Sequence, residues 1–268
     1  MDFSLLIGII VGIGAVLLGF TIEGGALMSL LLISPIVIVL GGTIGATLAS
    51  FSIKDIGNAF KALAYTFSKK SKGDPNVVIE KISSIAEICR RDGLLKIEDQ
   101  LKDSSFDKDE FLFLKEGLIL VMDGRQEEEI QYILESDIGA FTLQKQLEIN
   151  VFESAAGFCP TMGVLGTVMG LVNVLANMGT DAAELAASIA TAFVATLYGV
   201  GIANLVFMPI ATKLKADLKR QKIQKEMIMN GVCMIVKGEA SRNIANQLSL
   251  YYQAFPGGKE KYKLGINN

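Results

Sequence analysis

FCPTMGVLGTVMGLVNVL, residues 158–175, carries no ionisable side chain, opens beside a proline and spaces its glycines at helical intervals. On a wheel of about 100° per residue, Gly163, Gly166, Thr167, Gly170, Asn173 and Asn177 share one face, and Leu165, Val168, Met169 and Val172 cover the rest. The stretch reads as a membrane helix that starts at its proline, with a packing face of small or polar residues. A helix of this kind lining an ion path would need a group to hold the ion, and it contains none.

The composition supports a membrane reading: 51% of the 268 residues are hydrophobic, above the usual soluble composition. Lys54 is the first basic residue, and no Lys or Arg occurs from Gln146 through Thr212. Acids within those two stretches, among them Asp2, Glu23, Glu153, Asp181 and Glu184, avoid the middle of any span. A net charge of −3, with basic residues mixed among acids, leaves no electrostatic footprint for nucleic acid. Cys89, Cys159 and Cys233 lie far apart, without metal-ligand spacing, and read as apolar fillers, so no metal site or cofactor is expected. Histidine is absent, which removes the commonest general base and proton shuttle. With no nucleophile beside a base, the chain does not read as an enzyme.

A hydrocarbon core of about 30 Å takes roughly 20 helical residues, and four segments suffice. The expected fold is an all-α integral membrane protein. Residues 1–51 hold a first helix pair, at about 3–20 and 35–51, and residues 52–150 form a cytoplasmic helical domain. Residues 151–210 hold a second pair, at about 154–177 and 185–210, and residues 211–268 form a C-terminal helix and tail. Ser34 and Pro35 are suited to the N-cap and first position of the second span. The turns at 21–34 and around Met178 to Glu184 contain no Lys or Arg. Lys54, Lys61, Lys69, Lys70 and Lys72 follow the second span, and Lys213, Lys215, Lys219, Arg220, Lys222 and Lys225 follow the fourth. The positive-inside rule then puts both termini and the insert in the cytoplasm.

In the insert, Asp74 and Pro75 start a helix that Asp92 and Gly93 end. A second runs over about Lys108 to Met122. A third starts near Gln126, presents Ile130, Ile133, Leu134, Ile138 and Phe141 at helical spacing, and can run on through Phe152. Residues 211–250 read as one basic, then amphipathic, helix, and the glycine-rich FPGGKEKYKLGINN as a mobile tail.

Small-residue faces recur at Ser188, Ala192, Ala195 and Gly199 of the fourth span and at Gly8, Gly12, Ala15 and Gly19 of the first. In lipid, small residues let backbones approach closely, either within one subunit or against another chain. Thr167, Asn173 and Thr196 are polar groups available within the spans; each can bond a carbonyl one turn back or brush an ion's hydration shell. None titrates. A proton relay through a bilayer needs an intramembrane acid, histidine or lysine, so that group must come from another chain. Glu153 is at best an exit-side residue, otherwise a solvated helix-end charge.

Four stretches in order, SPIVIVLGGTIGATLASF (34–51), IAEICRRDGLLKIED (85–99), CPTMGVLGTVMGLVNVL (159–175) and TLYGVGIANLVFMPIATKL (196–214), resemble the MotA family of flagellar stator subunits. The resemblance covers nearly the whole chain. It implies a homo-oligomeric ring in the bacterial inner membrane, five copies around two MotB-like chains whose aspartate binds a proton or sodium ion. Torque would then pass to the rotor protein FliG. Arg90 and Glu98 match the family's principal rotor-contact charges, with Arg91 beside them. Thr167 and Thr196 would line the ion pathway. Pro160 and Pro209 match prolines used as hinges for torque transmission. Gly163, Gly166, Gly170, Ala192, Ala195 and Gly199 would form the packing face for the partner helix. Two other readings are an ExbB or TolQ type transducer, which should have one helix before its insert, and a self-contained channel or transporter.

Overall fold

The computed structural model describes residues 4–66, 74–176 and 182–252. Asp2, Phe3, Lys69, Lys70, Lys72, Asn177, Asp181, most of the second turn and the tail lie outside these residues. The chain divides into two compact units, Met1–Ser68 with Gln146–Lys215 and Lys69–Lys145 with Ala216–Asn268. The described residues form helices and connecting turns.

In the first unit, α1 spans Ser4–Ile22 and α2 spans Ile33–Ser50. The capping residue of α2 is Leu32, not Ser34, and it makes no side-chain cap. Pro35 therefore sits at the third helical position. A missing N–H still costs nothing there, because the first four donors of a helix have no intrahelical acceptor. Within α2 a wide π turn at Val37–Gly41 loosens the backbone ladder, and the hydroxyl of Thr43 donates to the Val39 carbonyl at 2.6 Å. Helix α3, Ile53–Thr66, opens with Ser52 accepting from the Asp55 N–H at 3.1 Å.

In the second unit, α4 is Pro75–Asp92, with Asp74 accepting from the Asn76 N–H at 3.1 Å and Gly93 ending the helix at φ +88°. A short α5, Ile97–Leu101, follows. Helix α6 is Leu112–Met122, starting four residues later than the periodicity suggests. The delay has a cause: Asp103 caps a 3-10 turn at Ser104–Asp107, which sends Phe106 and Phe111 into the core with ring centroids 6.1 Å apart. Helix α7 is one uninterrupted run, Glu127–Ala176, of 50 residues. Its inward face is Ile130, Leu134 and Ile138, whereas Ile133 is 37% exposed, contrary to the expectation that placed it with them. Ile133 lies about 100° from Leu134 around the helix, outside the buried stripe.

After the described gap, α8 is Ala182–Ile202, a second π turn covers Ala203–Phe207, and α9 is Met208–Val236. The expected single helix over 211–250 is in fact broken: Gly238 adopts φ +70° and α10 begins at Ser241 and runs to Tyr252. The break lets Ile244 and Leu248 fold back into one apolar core with Val78, Ile82 and Ile85 of α4 and Met227 and Val232 of α9. The insert and the C-terminal helices, separated in the sequence reading, thus share a core.

Among the described residues, four helices, Ser4–Ile22, Ile33–Ser50, Glu127–Ala176 and Glu184–Val236, are long and apolar enough to cross a membrane.

Candidate functional site

The third and fourth spans meet along their glycines. A Cβ placed on Gly163 would stand 2.9 Å from the Ala195 carbonyl oxygen and 3.2 Å from Gly199 Cα. One placed on Gly199 would stand 2.7 Å from the Cys159 oxygen, and one on Gly170 would stand 2.6 Å from Ala192 Cβ. Gly166 is held similarly against Ala195, at 2.8 Å, and lies beside Ile38 of α2. These six residues were assigned above to a partner helix. In the structure Gly163, Gly166, Gly170, Ala192, Ala195 and Gly199 face one another within one chain, so their small side chains serve the seam between the third and fourth spans. The surfaces that α7 and α8 leave open are apolar instead, with Val164, Val168 and Val172 and, on α8, Phe193 and Leu197 all exposed.

Thr167 and Thr196 are brought together at this seam. The Thr167 hydroxyl lies 3.1 Å from the Gly163 carbonyl on its own helix and 3.0 Å from the Ala192 carbonyl on the other, and it is hydrogen-bonded to the Thr196 hydroxyl. Two hydroxyl protons therefore serve one short network, and Thr167 reaches across helices as well as one turn back. The network is polar but does not titrate. Between Ser154 and Ala176, and from Leu185 through Thr212, there is no Asp, Glu, Lys or Arg.

Charged residues gather where α7 enters the third span and α9 leaves the fourth. Glu153 is neither alone nor simply solvated: it pairs with Lys215 of α9. Glu148, which the sequence reading passed over, is buried at 5% exposure. Position at a span's end hides such a residue from a hydropathy scan, although its spacing from Phe152 on one helix face gives a signal. Pro160 lies inside α7 and does not begin it. Helices on either side carry the run through, while the ring leaves the Ala156 carbonyl without its intrahelical donor. Pro209 is the second residue of α9, one residue past the π turn at Ala203–Phe207. Within that turn the Asn204 side-chain amide donates to the Val200 carbonyl, one turn back, at 2.9 Å.

In the second unit, Arg90 and Arg91 occupy the last turn of α4, where cations favour the negative end of the helix dipole. Gly93, at φ +88° and ψ +162°, turns the chain into a 3-10 turn at Leu94–Lys96 that leads into α5, with Ile97 fully buried beneath. Arg90 and Glu98 stand exposed on either side of this turn. Arg91 pairs with Asp92 at 2.8 Å, and Glu98 pairs with Lys102 at 3.2 Å. Arg90 has no ion-pair partner among the described residues. Its neighbour Asp92 is held below the usual carboxylate range by the Arg91 hydrogen bond.

The fold and site define a four-span membrane protein with a glycine-closed seam, spans free of Asp, Glu, Lys and Arg over Ser154–Ala176 and Leu185–Thr212, and exposed charges at the end of α4. Residues 107–227 match the MotA/TolQ/ExbB proton channel family, and residues 6–93 match the Motility protein A N-terminal family. The chain is 32% identical to Motility protein A of Bacillus subtilis, over 95% of this chain and 92% of that one. It is 30% identical to chemotaxis protein PomA of Vibrio alginolyticus, over 94% and 95%. Among solved structures, it matches the flagellar MotAB stator complex of Bacillus subtilis with a TM-score of 0.84 at 31% identity, covering 98% of this chain and all of that one. It also matches C. jejuni MotAB with a TM-score of 0.85 at 25% identity, covering 99% and 100%. The chain belongs to the motility protein A family.

Proposed function

We propose that this chain is the ring-forming stator subunit of a bacterial flagellar motor. It couples ion flow across the inner membrane, with both termini in the cytoplasm, to torque on the rotor protein FliG. The observation that carries the reading is the seam: the spans close on each other through backbone contact and two hydroxyls, yet none of them supplies a group able to bind and release a proton. A MotB-like partner, two chains within a ring of five copies, supplies that carboxylate. Each elementary charge falling through 100 mV releases about 2.3 kcal/mol, and no covalent chemistry is required to use it. The ion is the proton, with Thr167 and Thr196 beside its path, a reading supported by the family's description as proton channels. Pro160 and Pro209 each remove one rung of a helix ladder and act as the flexing points when the ring turns.

Arg90, Arg91 and Glu98 meet the rotor by charge steering, which makes the contact sensitive to salt. Two helices precede the insert, and the match at residues 6–93 is to motility protein A; both favour this reading over an ExbB or TolQ type transducer. Reversing both charges, with Arg90→Glu and Glu98→Lys, is expected to abolish swimming while membrane levels and ring assembly survive. Full swimming by this double variant with an unaltered rotor would disprove the contact. Swimming that follows an imposed sodium gradient and ignores a proton gradient would overturn the choice of ion.

A further inference from the structure

We propose that the membrane unit holds one lipid acyl chain as a fixed component, in a cavity bounded by α1, α2 and α8 at the end that carries the turn before α2. The cavity measures about 520 Å³. Val16 and Leu17 of α1, Leu31 of the turn, Leu40 of α2, and Gly201 and Leu205 on the fourth span are among its walls. Its one hydroxyl, on Tyr198, is already donated to the Leu30 carbonyl, so the cavity has no hydrogen bond to offer water. An apolar cavity of this kind stays dry, and an empty one forfeits the dispersion contacts of every atom lining it.

Size then selects the occupant. A helix with its side chains is about 10 Å across, so this volume would hold little more than one turn of it. An extended hydrocarbon chain is far thinner, and the medium around the protein supplies it. The mouth faces that medium: Val16 is 48% exposed, Leu17 37% and Leu31 65%. Gly201 leaves bare backbone on the inner wall, where an added Cβ would meet nothing within 4 Å. The headgroup is not chosen by charge, because residues 21–34 contain no Lys or Arg and only one acid, Glu23.

The test uses the full chain with its partner in liposomes containing photoactivatable lipids, with a diazirine in the acyl chain of either phosphatidylethanolamine or phosphatidylglycerol. Adducts are mapped by mass spectrometry. Leu18, 64% exposed and adjacent to Leu17 on α1, reports ordinary contact with bulk lipid. The expected result is labelling of Leu17, Leu31 and Leu205 at least about fivefold above Leu18, equal for both headgroups. Gly201→Phe should reduce it several-fold without changing Leu18, and Val16→Phe, which only narrows the mouth, should act likewise should the first variant fail to fold. Uniform labelling along α1, or labelling that neither variant changes, overturns the proposal. So does a photo-crosslinker at Leu31 that captures a second copy of the chain instead of lipid, since a neighbouring subunit would then fill the cavity.

Discussion

Replacing Gly199 by alanine tests the seam most directly. The new Cβ would lie 2.7 Å from the Cys159 carbonyl oxygen and 3.0 Å from Gly163 Cα, and both are backbone atoms that no rotamer change can move. Ordinary contact begins near 3.4 Å, so α7 and α8 must part by about 0.7 Å, a gap that forfeits a quarter to a half of each dispersion contact along the seam. The Thr167 to Ala192 hydrogen bond, now 3.0 Å, is carried past the usable limit of about 3.5 Å. Overpacking of this kind costs about 1–3 kcal/mol, and removing a helical glycine returns about 0.5–1 kcal/mol. The expected net loss is about 1–2 kcal/mol, or about 2–4 °C in Tm for each kcal/mol. Thermal unfolding of the purified protein in detergent, followed by loss of the monodisperse size-exclusion peak, reads the shift. Gly157→Ala is the control, because that helical glycine has nothing within 4 Å of its would-be Cβ and should be neutral or slightly stabilising. Equal stability of Gly199→Ala and Gly157→Ala would refute the claim that backbone contact closes the seam.

The charged corner and the cytoplasmic unit offer further tests. Gly93→Ala places a side chain at φ +88° and ψ +162°, a region open essentially to glycine alone. It should cost about 1–3 kcal/mol in unfolding experiments and depress swimming by displacing Glu98 from Arg90. Asp103 is held at about 2 by the Ser105 N–H first and then by Lys81, so it favours the fold fully above the ordinary carboxylate value of 3.8. That stabilisation is lost as pH falls from about 4 towards 2. Acid unfolding followed by circular dichroism should show this dependence in the native chain and a flatter one in Asp103→Asn. Cys89 is 8% exposed and burial raises its thiol above the ordinary value, so maleimide at neutral pH should leave it unmodified until denaturant is added, as mass spectrometry can show.

The sequence by itself determined the number of spans, the missing intramembrane acid and the ends of α4, because each is local. Transfer of a side chain into hydrocarbon is set by that side chain and its near neighbours, and an Asp74–Pro75 start or a Gly93 stop acts within one turn. Periodicity also drew the glycine stripe of the third span correctly. What periodicity omits is the partner for a face, and that choice belongs to the tertiary structure. The glycines of α7 close on Ala192, Ala195 and Gly199 of the same chain, where two small faces lie at matching height for backbone contact. In the same way, α7 runs through Pro160 because helix on both sides outweighs one lost hydrogen bond. The turn at Gly238 mattered because Ile244 and Leu248 had a core waiting beside Val78 and Ile82, a pairing between residues more than 150 positions apart in the chain. Contacts that distant leave no mark on the local pattern of either segment.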